Sequence, residues 1–265
     1  MSLFNNLKKE IKNKKIYFIL ISVFILIYSL AVYFAMYSSE DKSVINIVST
    51  LSGQGGMAGG LACIYLYIPI LFFGINSYMV NSERKSFIIK MKNRKSIFNS
   101  HVIFVIALSI IISLLIICLG YSIGGIYAGG FKSLWPKDDV TYTLPQYEDL
   151  DIPAILNSIP LYMVILKTFI IKFLGFAVVG LLVVILKNAI NNSGVLGLLI
   201  ILIPFIDVNF LSGSLFMNKF SLTIESWINP NDFLINIIYL MFLFMAFYLI
   251  GREIYKNKDF ISKGY

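Results

Sequence analysis

Val102 to Tyr121, VIFVIALSIIISLLIICLGY, is a run of twenty residues without a single charge. Wound as a helix rising 1.5 Å per residue, it measures about 30 Å, the thickness of a bilayer's hydrocarbon core. Immediately before it stands His101, preceded by a basic stretch, Asn81 to Ser100, that carries six Lys and Arg. Immediately after it the chain turns polar from Ser122 to Ser158, with five carboxylates, Trp135-Pro136, Pro145 and Pro153. The same alternation recurs on both sides. Ile16 to Met36, Gly60 to Val80, Leu161 to Leu186, Gly194 to Phe210 and Phe233 to Gly251 are further apolar runs, and the charges cluster between them. Over 265 residues, 58% are hydrophobic, only 14% are charged and the mean hydropathy is +0.82. That leaves too little polar surface for a soluble globule. The fold class expected is all-α integral membrane, with six transmembrane helices. The fourth run exceeds what a perpendicular span needs, so it is expected to tilt or to begin with a partly exposed turn.

Ahead of the first run, Leu3, Phe4, Leu7 and Ile11 recur at helical spacing, with Lys8, Lys9, Lys12, Lys14 and Lys15 covering the other faces. This pattern predicts a basic amphipathic helix over residues 1–15 lying on an anionic leaflet. The apolar run after it has full span length and no small-residue cleavage site, so no removable signal peptide is expected. A single membrane domain over 16–251 and a polar cytoplasmic tail over 252–265 complete the division, with no short-period repeat. In a six-span arrangement 16 of the 22 Lys and Arg fall on the side of the termini and 4 on the other, with Lys167 and Lys172 inside a span. The positive-inside bias then places both termini in the cytoplasm and the acidic 122–158 loop outside, in a multi-pass protein of the cytoplasmic membrane. The net charge of +8 is accounted for by these flanks, which leaves membrane lipid as a partner and discounts nucleic acid.

Chemistry is sparse. The lone histidine, His101, has no HExxH context and is read as an interfacial residue at the start of the third span, so neither a metal site nor a catalytic residue is expected. A serine nucleophile would need that histidine on the outward side. Cys63 and Cys118 lie in apolar runs and behave as small hydrophobes. No GxxxxGK[ST] occurs, so the chain binds no nucleotide by that device and no cofactor of its own is expected. Leu51 to Gly56, LSGQGG, has the residues of an ATPase signature in the wrong order and on the outward side. It is read as a flexible lead into the second span, where Gly55, Gly56, Gly59 and Gly60 permit close helix packing.

Three ionisable groups sit within the spans: Lys167, Lys172 and Asp207. Lys167 and Asp207 lie at depths that differ by only about 5 Å at 1.5 Å per residue. Either the two pair, or Pro204 ends the fifth helix early and leaves Asp207 in water while Lys167 snorkels. Lys172 is deeper and has no carboxylate at its level.

The segment Ser82 to Ser96, SERKSFIIKMKNRKS, reads as a short basic amphipathic helix between two spans, with Phe87, Ile88 and Met91 as its apolar contacts. It resembles the coupling helix of type-2 ABC transporter permeases, in which a Glu leaves the second span, a basic helix follows and an Arg-Ser-like turn leads into the third. Glu83 and Arg94-Lys95-Ser96 match those positions, while the small residue after the Glu and the Pro before the turn are absent. The amphipathic helix before the first span, the six spans, the cytoplasmic termini and Asn229-Pro230 before the last span extend the resemblance over nearly the whole chain. The 122–158 loop is longer than in many members. The resemblance implies a permease subunit, not itself an enzyme, that joins a second permease, identical or homologous, and a separate cytoplasmic ATPase holding ATP and Mg. Its cargo would be a hydrophobic or amphipathic compound such as an antimicrobial or other peptide, or a drug. Glu83, Arg84, Phe87, Ile88, Met91, Arg94 and Lys95 would then contact the ATPase. Two other readings of the residues stand beside this one: a membrane anchor or sensor with an acidic outward loop, and an ion-coupled secondary transporter. The second needs intramembrane charges and an inverted repeat, and the sequence has no clear repeat.

Overall fold

A computed structural model of the chain describes residues 15–38, 43–45, 59–82, 94–130, 135 and 150–257. The described residues are helical, without a strand among them. Helix α1 is Lys15–Ser38, α2 is Gly60–Ser82, α3 is Arg94–Tyr127, α4 is Ile152–Asn157, α5 is Leu161–Ala189, α6 is Ser193–Phe210, α7 is Met217–Phe220, α8 is Ile224–Ile228 and α9 is Pro230–Asn257. Five of them, α2, α3, α5, α6 and α9, are long and apolar enough to cross a membrane, which fits a multi-pass membrane protein. Helix α1 has 24 residues, of which Ile21–Phe34 form the described apolar stretch. The amphipathic 1–15 stretch, apart from Lys15, and the 258–265 end of the tail lie outside the described residues, as does most of the acidic loop.

The long helices alternate in direction. Ser82, Arg94, Ala189, Ser193 and Asn257 mark one end of the bundle, here the lower, and Gly60, Tyr127, Leu161, Phe210 and Pro230 the other. Local chemistry sets several boundaries. Asn192 accepts from Gly194 N and Val195 N and so caps α6, and Asn229 accepts from Asn231 N just before Pro230 opens α9. Two helices run past their apolar windows: α3 starts eight residues before Val102 and α9 continues six past Gly251, because charged side chains at helix ends remain in water without breaking the backbone pattern. In α2 a π turn occupies Cys63–Tyr67. Pro69 follows it and has no N–H to give the Tyr65 carbonyl, which removes the α-helical bond that would compete with the wider turn.

Helix α5 is the axis of the fold, with 61% of its apolar window buried against 22% for α6 and 17% for α9. It packs on α3, α2 and α9, and glycines allow the closest approaches: Val105 and Ile75 lie against Gly180, and the Phe220 ring lies against Gly175. An aromatic column crosses the core from α1 to α7. Phe24 and Tyr28 meet Tyr67, Tyr67 meets Phe176 and Phe176 meets Phe220, at centroid separations of 4.9 to 6.0 Å. The Tyr28 hydroxyl, deep in that column, donates to the Ile116 carbonyl at 2.9 Å and ties α1 to α3.

Candidate functional site

The connection from α6 to α9, residues 211–229, does not loop out from the upper end. It folds back into the bundle as α7 and α8, and α7 packs on α5, on α9 and on Gly60–Ala62 at the start of α2. A non-helical backbone at this depth exposes polar groups where no water satisfies them, so the protein must supply partners. The three intramembrane charges are those partners.

Asp207 is buried, and its carboxylate accepts three backbone N–H groups: Leu215 at 3.0 Å, Phe216 at 2.9 Å and Met217 at 2.7 Å. The turn that brings these amides back passes through Ser212 and Gly213, both at positive φ, and Gly213 N also bonds the Asp207 carbonyl at 2.7 Å. Gly213 takes that left-handed conformation at no steric cost, as glycines that end helices commonly do. Lys172, 1% exposed, donates to the Phe220 carbonyl at 3.0 Å and sits 4.5 Å from the Phe220 ring centroid. Lys167 donates to the Ser226 carbonyl at 3.0 Å, between the rings of Trp227 and Phe233. One anion therefore takes the donors at the start of the segment, and two cations on α5 take carbonyls further along.

This arrangement replaces both expectations for Lys167 and Asp207. They form no ion pair, since each is engaged with backbone 211–229. Nor does Pro204 end the fifth helix: α6 runs through it to Phe210. A proline inside a membrane helix is tolerated where neighbouring groups re-satisfy the backbone. Lys172, left without a partner at the sequence level, has the Phe220 carbonyl.

Within this segment α8 packs on α4, and Trp227 meets Trp135 edge to face at 5.1 Å. Asp151, at the end of the acidic stretch, caps α4 by accepting from Ala154 N at 3.2 Å.

A second polar cluster closes the lower end. His101, expected at the start of the third span, lies seven residues into α3 and is packed inside the protein at 1% exposure. Its Nε2 lies 2.7 Å from Ser82 Oγ and its Nδ1 lies 2.8 Å from the Tyr255 hydroxyl. Ser82 Oγ also donates to the Met79 carbonyl at 3.1 Å. The bonds are all satisfied when Nε2–H donates to Ser82 and the Tyr255 hydroxyl donates to Nδ1 of a neutral imidazole. Tyr78 packs edge-on to the ring and Phe98 packs on Tyr255. The Ser82–His101 distance is that of a nucleophile and its base. All three side chains are fully buried, however, and the cluster acts as a latch joining the lower ends of α2, α3 and α9.

Of the residues expected to meet an ATPase, Glu83, Arg84, Phe87, Ile88 and Met91 lie outside the described residues. Arg94 and Lys95 form the first turn of α3, with Lys95 exposed. Among the described residues no group of His, Cys, Asp and Glu could hold a metal ion. No family model matches the chain, and no curated protein or solved structure matches it either.

Proposed function

We propose that the chain is the six-span permease subunit of an ATP-driven exporter in the cytoplasmic membrane. It would work with a second permease and a separate ATPase to move a hydrophobic or amphipathic compound, such as a peptide or a drug. The observation that carries this reading is the latch that holds Ser82, where the basic segment Ser82 to Ser96 begins. That segment leaves α2 at Ser82 and enters α3 at Arg94, and Ser82 is bonded through His101 to Tyr255. A partner gripping it would move α2, α3 and α9 together, which is what transmission from a cytoplasmic ATPase requires. The chain has no phosphate-binding loop of its own, so energy from ATP has to arrive through such a surface.

The engagement of Lys167, Lys172 and Asp207 with the 211–229 backbone weighs against ion-coupled transport, which would use intramembrane charges as coupling groups. The test is co-purification. Phe87→Glu with Met91→Glu should abolish capture of the ATPase subunit and transport while the permease inserts at normal yield. Retained capture and retained substrate-stimulated hydrolysis would reduce 83–93 to an ordinary positive-inside flank.

A further inference from the structure

Between α5, α6 and α9 lies a cleft of about 400 Å³, within the range of small-ligand sites. Leu182 of α5, Ile203 of α6 and Leu243 of α9 line it, and the re-entrant segment borders it at Leu215 and Phe216. Ile203 and Leu215 are exposed, so the cleft opens on the surface that hydrocarbon would cover. Apolar walls alone would accept any hydrophobic compound. The polar part of the lining selects among them.

Asp207 is the one charged residue that lines the cleft. Its three partners, the amides of Leu215, Phe216 and Met217, are neutral dipoles, and among the described residues no cation pairs with it. The negative charge is thus held in place without being cancelled. Lys172 and Lys167 are committed to carbonyls further along the segment, at Phe220 and Ser226, and neither lines the cleft. Asp207 is 3% exposed, but walls of low dielectric constant carry its field into the cleft without direct contact. Tyr239 also lines the cleft and gives its proton to the Leu215 carbonyl at 2.7 Å, which leaves its oxygen only lone pairs to offer. Phe216, Tyr239 and Phe247 place three aromatic rings in the lining, and ring faces attract cations. Carboxylate, phenol oxygen and rings all favour a positive charge.

We propose that this cleft binds a lipophilic organic cation drawn from the bilayer, with its charge toward Asp207, Phe216 and Tyr239 and its apolar body between α5, α6 and α9. The proposal concerns binding by this chain alone and is independent of the exporter reading.

The full chain, purified in a maltoside detergent, is dialysed to equilibrium against radiolabelled tetraphenylphosphonium, with protein-free micelles as the blank. Tetraphenylborate, of nearly the same shape and opposite charge, is the comparison. Phosphonium binding should saturate at one per chain, and the borate should bind at least about tenfold more weakly, the effect of one carboxylate about 12 Å from the bound charge at an effective dielectric constant of about 20. Asp207→Asn should weaken phosphonium binding by a similar factor and narrow its preference over the borate. Loosening of residues 215–217 alone would weaken both ions and leave that preference unchanged. Ile203→Trp, which narrows the cleft from an exposed position, should abolish saturable phosphonium binding. The borate comparison and Ile203→Trp keep the test decisive if Asp207→Asn does not fold. No saturable phosphonium binding by the wild type, borate bound as tightly as phosphonium, an unchanged preference in Asp207→Asn, or binding that survives Ile203→Trp would each overturn the proposal.

Discussion

Replacing Asp207 by Asn tests whether one carboxylate holds the re-entrant segment. The carboxylate accepts from Leu215, Phe216 and Met217, with Oδ2 serving the last two. An asparagine keeps one acceptor oxygen, enough for Phe216 and Met217, and turns an NH₂ toward the Leu215 N–H. A donor facing a donor costs about 1–3 kcal/mol, and loss of the charge weakens the remaining two bonds by roughly 1 kcal/mol together. Relief from burying an anion offsets part of this, which places the net loss near 2 kcal/mol. In hydrogen-exchange mass spectrometry of the detergent-solubilised protein, amides 215–217 should then exchange about 30-fold faster, with little change in the lower halves of α2 and α3. Lys167→Met should loosen residues 224–228 and leave 215–217 less affected, since Lys167 reaches only the Ser226 carbonyl. The double variant should be no more stable than the weaker single variant. Recovery toward wild type would refute the reasoning, because only a direct Lys167–Asp207 ion pair produces it.

Gly175→Ala should lower thermal stability by about 1–3 kcal/mol, because a Cβ there overlaps the Phe220 ring while the Phe220 carbonyl is held by Lys172. Combining it with Phe220→Leu should recover part of that loss in the same melt. His101→Phe should destabilise by about 2–3 kcal/mol, since it strands the buried Tyr255 hydroxyl and removes the link to Ser82, whereas Ser82→Ala should cost about 1 kcal/mol. Equal melting curves for His101→Phe and wild type would remove the latch.

The long helices are legible in the sequence because apolar runs of span length have one low-energy form in lipid. Their ends are less so: Arg94 and Lys95 are as compatible with the first turn of α3 as with a loop, and the shift buries His101. The partners of the charges were out of reach for a different reason. Lys172 and Lys167 bond carbonyls 48 and 59 residues away, and backbone groups have no sequence signature. A signal was present in residues 211–229, where Phe216, Phe220 and Trp227 punctuate what otherwise reads as an outward loop. Aromatic residues at that density, next to a span that carries two lysines, fit a segment that returns to the bilayer. The basic segment Ser82 to Ser96 was the richest in functional signal at the sequence level, and there the physical case rests on Ser82 at the end of α2 and Arg94 at the start of α3.

The order in which the chain is made gives the lysine contacts a consequence for biogenesis. Lys172 leaves the ribosome 48 residues before the carbonyl that receives it, an interval of about 2 to 10 s at 5–20 residues per second. During that interval α5 enters the bilayer carrying two cations whose final partners do not yet exist. A chain halted before residue 220 therefore carries Lys172 in α5 without the Phe220 carbonyl that receives it in the finished fold. Arrival of the re-entrant segment supplies both carbonyls, Phe220 for Lys172 and Ser226 for Lys167, and so completes the contacts of the central helix.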